Sequence, residues 1–190
     1  MLAYVFWHWP RPHVTPHEYE ARVSDFHRSL SIDPPLGFRH SLTFRVDSLP
    51  WHSDKAAGYE DWYLVADWEA FDPLNAAAVS GNNRTPHDRV AQTAAGGTGG
   101  VYRLQYGTLD LTDAGFAVWL HKPEGVRYAD FDDLLRAWTE NVEISMWQRQ
   151  MVLGPAPEYC ILSRQRLTLL GHTAPLIIAR HVIAVGHGPT

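Results

Sequence analysis

One cysteine, Cys160, stands alone among 190 residues. No intrachain disulfide can form, a C-x-x-C metal or redox motif is excluded, and an oxidising compartment gains no support. Basic residues are scarce too: 16 Lys and Arg face 21 acids, for a net charge of -5, and no run of bases occurs. Nucleic-acid binders carry a concentrated basic face, so that class is set aside. No apolar run approaches the roughly 20 residues that span a bilayer. The start of the chain has no basic segment ahead of its apolar residues, and Trp9-Pro10 interrupts the run early, unlike a signal peptide. These absences give the expectation of a soluble cytoplasmic protein with no nucleic-acid and no membrane partner.

Aromatic residues are abundant, with eight Trp and eight Tyr. Such a set fills a core and its interfaces, and part of it can line a pocket for a small apolar or aromatic molecule.

The chain repeats itself. YVFWHWP (4–10) and AVWLHKP (117–123) are short apolar runs ending in His-x-Pro, at an offset of 113. Both read as strands bounded by proline. A helical stripe follows each: Tyr19, Val23, Phe26 and Leu30, then Phe131, Leu135, Trp138 and Val142, at an offset of 112. The first helix has a written start, with Thr15 as N-cap, Pro16 at the first helical position, Glu18 completing a capping box and Val14 stapling to Tyr19. The second has Asp130 as its candidate cap. FRHSLTFRV (38–46) alternates, placing Phe38, His40, Leu42, Phe44 and Val46 on one side, and WQRQMVL (147–153) occupies the matching position. EDWYLVADW (60–68) matches PEYCILSRQ (157–165). In the first copy PLNAAAVSG (73–81) and TPHDRVAQTAA (85–95) predict two short helices, the second capped by Thr85 and Asp88, before a strand at VYRLQYG (101–107). In the second copy only RQRLTLLGHTAP precedes the last strand, LIIARHVIAV (176–185).

Strand–helix–strand–strand–helix–strand is the ferredoxin-like order. Two fused copies resemble the dimeric α+β barrel superfamily, in which two such sheets pack face to face. The resemblance implies an α+β fold of tandem βαββαβ repeats, the second with a shortened second helix. The copies span 1–107 and 116–190, joined by a linker at 108–115 (TLDLTDAG). It also implies an aromatic-lined cavity and a range of activities: cofactor-free monooxygenases, cyclases, isomerases and haem-binding enzymes. Monomer and homodimer are both open.

Candidate chemistry centres on histidine, the side chain that titrates near neutrality. His8 and His121 recur at equivalent strand ends, and His40 sits on the apolar side of its strand. These are the candidate general bases, with structural hydrogen bonding as the alternative and haem or metal ligation as a third role. Tyr4, Phe6, Trp62, Trp119 and His181 are the candidate pocket residues. A metal cluster of His8, His13, His17 and Glu18 is disfavoured, because Pro12 and Pro16 prevent one helix face from presenting both later histidines. No metal and no organic cofactor are expected. AGGTGG (95–100) leads into a strand and not a helix, so it reads as a hinge or lid and not a phosphate loop. Cys160 reads as a buried small hydrophobe. The resulting expectation is a small-molecule enzyme of monooxygenase, isomerase or cyclase type. A non-catalytic binder or structural protein, or a haem-binding barrel, is the alternative.

Overall fold

The computed structural model describes residues 1–49, 51–52, 57–151, 156–168 and 173–188. Strict alternation along β1 (Leu2–Pro10) sends Ala3, Val5 and Trp7 to one face and Tyr4, Phe6 and His8 to the other. Helix α1 (Pro16–Ile32) starts where the capping residues place it. Thr15 accepts from the Glu18 amide at 3.2 Å, and Val14 packs with Tyr19. The Glu18 carboxylate does not complete the box; it pairs with Arg22 one turn on. The chain continues through β2 (Phe38–Val46), β3 (Gly58–Val65), α2 (Phe71–Ala78), α3 (Arg84–Thr93) and β4 (Ala94–Gly107). It then runs through β5 (Phe116–Leu120), α4 (Tyr128–Thr139), β6 (Ile144–Met151), β7 (Tyr159–Ser163) and β8 (Leu176–His187).

The eight strands form one closed antiparallel barrel, ordered β1-β3-β2-β8-β5-β7-β6-β4. This overturns the expected pair of ferredoxin-like βαββαβ sheets. Backbone ladders between β2 and β8 and between β4 and β6 join the two halves edge to edge, so no strand edge is left over for face-to-face packing of separate sheets. The second half contributes only α4; among the described residues no helix lies between β7 and β8. Residues 152–153 of the expected strand and 169–172 of the expected connection lie outside the described residues.

Inward-facing side chains form the main core: Ala3, Val5, Trp7, Leu42, Phe44, Val46, Trp62, Leu64, Tyr102, Trp119, Trp147 and Cys160. Trp7, Trp119 and Trp51 meet edge to face at centroid distances of 4.9–5.4 Å. Each such pair adds ~0.5–1.5 kcal/mol beyond the area it buries. Helices cover the outside. Phe26 and Leu30 of α1 pack with Phe38, Tyr63 and Val65, and Phe131 and Leu135 of α4 pack with Val118, Leu120, Ile144 and Ile161. With both faces of the sheet covered, all eight residues of β3 are buried.

Several local expectations change. Phe38 leaves the side of Leu42, Phe44 and Val46, because a bulge at Phe38/His40 shifts the register. Arg127 occupies the N-cap position of α4 without a side-chain capping bond, and Asp130 lies in the first turn, paired with that arginine at 2.7–2.8 Å. Helix α3 begins at Arg84, so Thr85 is inside it and is not its cap. AGGTGG is no hinge: it is the first half of β4, paired to β1. A Cβ on Gly97 would lie 2.3 Å from Phe6, and one on Gly99 would lie 2.5 Å from the Tyr4 hydroxyl. These glycines let two aromatic rings lie flat across the neighbouring strand. No helix among the described residues is long and apolar enough to cross a membrane.

Candidate functional site

Glu60 and Asp61 are adjacent on β3, so their carboxylates point to opposite faces. Both are buried. Glu60 enters the barrel, where it accepts from the indole N–H of Trp7 at 2.9 Å and of Trp62 at 2.7 Å. It pairs there with Arg180 at 3.1 Å. Arg180 lies 3.5 Å from the Phe44 ring centroid. Burial draws its guanidinium below the ordinary value, and Glu60 opposes that shift.

Asp61 points outward, beneath α1. Its Oδ1 accepts from the Thr43 hydroxyl at 2.7 Å, and its Oδ2 accepts from the Tyr63 hydroxyl at 2.8 Å. Two imidazoles flank it, with His8 Nε2 at 3.2 Å and His27 Nε2 at 3.5 Å. Burial alone would raise this carboxyl. The two imidazoles outweigh that and hold it far below the usual carboxylate range. The network continues on each side: His8 Nδ1 meets the Tyr19 hydroxyl at 2.7 Å, and His27 Nδ1 meets Ser41 Oγ at 2.8 Å. Burial and the Asp61 charge raise the phenols of Tyr19 and Tyr63, so both stay protonated donors at neutral pH.

An aromatic shelf leads out of this cluster. Phe6 stacks on His8 at 5.4 Å and on Tyr4 at 6.0 Å, and His8 stacks on Tyr59 at 5.6 Å. Tyr4 and Phe6 are half-buried, whereas His8, Tyr19, His27 and Asp61 are enclosed. An ionised carboxylate 3.2 Å from an imidazole that in turn meets a hydroxyl is an arrangement able to accept and pass a proton.

The other residues singled out from the sequence lie apart. His121 is exposed just past β5 and is not the counterpart of His8. Trp7 and Trp119 both face the barrel core, whereas His8 faces outward onto Asp61 and Leu120 packs in the cluster beneath α4. Because the side-chain period of a strand is two, the offset of 113 that aligns the two histidines sets the outward Phe6 against the inward Trp119. Trp62 and Trp119 therefore belong to the barrel core, away from the Tyr4–Phe6 shelf. His181 is exposed on β8. His40 is half-buried at the far end of β2, its ring 4.9 Å from that of His187, and burial followed by His187 lowers its pKa. Asp61, His27, Tyr19, Thr43 and Tyr63 are the site residues that sequence reasoning passed over. Among the described residues no group of three or more His, Cys, Asp or Glu side chains is arranged to hold a metal ion.

No family model matches the chain, and no curated protein matches it either. Solved structures do. One, from Fusobacterium nucleatum subsp. nucleatum and provisionally named a monooxygenase, superposes with a TM-score of 0.64 at 11% identity, covering 98% of this chain and 94% of that one. A second provisionally named monooxygenase, from Lactobacillus acidophilus, gives 0.57 at 10% identity, covering 98% and 95%. An anthrone oxidase-like protein gives 0.55 at 10% identity, covering 100% and 94%. At these identities the likeness is one of fold alone, a closed eight-stranded antiparallel barrel with helices packed outside it.

Proposed function

We propose that the chain is a small-molecule enzyme of monooxygenase, isomerase or cyclase type, acting on an apolar or aromatic molecule through proton abstraction by His8. The observation that carries this reading is Asp61, a buried carboxylate held ionised against the imidazole of His8 at the inner end of the Tyr4–Phe6 shelf. In this mechanism the substrate takes the place of the half-buried Phe6 ring on the shelf, which uncovers the otherwise enclosed Tyr19 hydroxyl, and gives a proton to that oxygen as Tyr19 passes its own to His8 Nδ1. Asp61 stabilises the imidazolium that results. The carbanion or phenolate left on the substrate is the shared intermediate from which isomerisation, cyclisation or reaction with dioxygen proceeds. The names of the solved neighbours support the monooxygenase branch as the first to assay.

Anthrone, the compound in one neighbour's name, is the first probe, followed by oxygen uptake and absorbance. The expected result is turnover that falls ~10²–10⁴-fold in His8→Ala and Asp61→Asn, with His121→Ala unchanged. Folded His8→Ala and Asp61→Asn proteins that keep the wild-type rate would overturn the assignment. Saturable binding of such aromatics without turnover would favour the non-catalytic binder instead.

A further inference from the structure

Two imidazoles share Asp61, and the hydrogen-bond inventory around them distinguishes their roles. An ionised carboxylate only accepts, so the Thr43 and Tyr63 hydroxyls each spend their single hydrogen on Asp61, at 2.7 and 2.8 Å. Each of those oxygens also lies against His27 Nε2, at 2.8 Å for Thr43 and 3.3 Å for Tyr63. With their hydrogens committed, both oxygens face Nε2 as acceptors. Nε2 must therefore carry hydrogen. In the neutral ring Nδ1 is then bare, and it receives the Ser41 hydroxyl at 2.8 Å. Ser41, Thr43 and His27 are all fully enclosed, so water cannot substitute for any of these partners.

We infer that His27 is the positioning residue of this site, held as the Nε2–H tautomer so that Thr43 and Tyr63 aim their hydrogens at Asp61 and Asp61 in turn orients His8. This inference rests on the reading of His8 as the base. Its chain of effect has three links. The His27 N–H occupies the lone pairs of Thr43 and Tyr63. Their two O–H groups fix the plane of the Asp61 carboxylate. The fixed carboxylate attracts the His8 Nε2–H across a 3.2 Å contact that is electrostatic and not an aligned hydrogen bond, while Nδ1 meets Tyr19. The backbone is built for this arrangement: Ser41 and Thr43 alternate with Leu42 and Phe44 on β2, one pair facing α1 and the other the barrel core. A Cβ on Gly186 would lie 2.6 Å from the Ser41 oxygen, so the neighbouring strand leaves that hydroxyl its space.

The test is direct detection of ring-nitrogen protonation in the ¹⁵N-histidine-labelled protein, carried into the alkaline arm of a titration where each ring is neutral. His27 is expected to show a protonated Nε2 and a bare Nδ1, and His8 the same tautomer. In His27→Phe, His8 should lose its single tautomer and populate both. His27→Gln, whose amide restores one N–H donor, should recover most of the bias. A bare Nε2 on His27, or a His8 tautomer unmoved in a folded His27→Phe protein, would overturn the inference. Should His27→Phe fail to fold, Thr43→Val and Tyr63→Phe give the same readout on His8, and an unmoved tautomer in both would overturn it equally. These spectra need no substrate. Failure of the anthrone assay with the expected tautomers would count against the enzymatic reading alone.

Discussion

Replacing Glu60 by Gln removes the negative charge inside the barrel. The substitution conserves volume and opens no cavity, but its one carbonyl oxygen accepts from only one of Trp7 and Trp62, and its amide NH2 then faces the other indole donor. It removes the charge that faces Arg180 at 3.1 Å, where both side chains are 0% exposed. Arg180 cannot move to water: it is stacked on Phe44 and reaches the Ala114 carbonyl at 3.4 Å. Breaking a buried pair by removing one partner costs ~3–5 kcal/mol, because the remaining charge stays desolvated. For a domain of this size each kcal/mol is worth about 2–4 °C, so the expected fall in Tm is about 6–20 °C. Thermal unfolding followed by tryptophan fluorescence measures the fall in Tm, and urea unfolding the free energy, since two of the reporting indoles hydrogen-bond to Glu60 itself. Removing Arg180 as well, in Glu60→Gln/Arg180→Met, takes away the stranded charge and should return stability to within ~1–2 kcal/mol of wild type. A loss below ~1 kcal/mol in Glu60→Gln, or a double variant as weak as the sum of the two single ones, would refute the reasoning.

Two further outcomes follow from the same geometry. Asp61 is held far below its unfolded value, so its stabilisation is fully present above about pH 4 and drains away as the pH falls through the lower folded value. Asp61→Asn should therefore unfold with a shallower acid limb than wild type, read by circular dichroism across pH 2–6, and an identical limb would contradict this. Gly97→Ala places a Cβ against Phe6 at 2.3 Å and the Trp7 carbonyl at 3.0 Å, and should cost ~1–3 kcal/mol by overpacking. Combining it with Phe6→Ala should cost less than the sum of the two, because the larger clash is gone.

What could be read from the residues and what could not differ for physical reasons. Helix α1 was legible because its signals are local: Thr15, Pro16 and the spacing of Tyr19, Val23, Phe26 and Leu30 need no knowledge of the rest of the chain. Barrel closure was not legible, because it depends on β2 meeting β8 and β4 meeting β6, pairings between residues far apart in sequence. The His-x-Pro repeat misled by one residue. Aligning His8 with His121 by identity sets the outward Phe6 against Trp119, which faces the core as Trp7 does, because the strand period is two. The Gly-rich stretch misled differently. Glycine reads as freedom in a sequence, yet at Gly97 and Gly99 its missing side chain is space already taken by Phe6 and Tyr4.

The site itself left a signal that a stricter use of alternation would have found. Adjacent acids in an aromatic-rich strand, Glu60-Asp61, must face opposite sides. In a sheet covered on both faces each then needs its own buried partner. The chain offers few candidates. Arg180 lies two residues from Ile178, on the inner period of β8, and answers Glu60. His27 lies four residues after Val23 and eight after Tyr19, inside the apolar stripe of α1, and answers Asp61 together with His8. Attention to the histidines alone found His8 and overlooked the carboxylate that gives it a function. Reading outward from a buried acid, whose charge must be met by something, identifies the whole constellation, because desolvation makes its partners obligatory where a lone histidine's are optional.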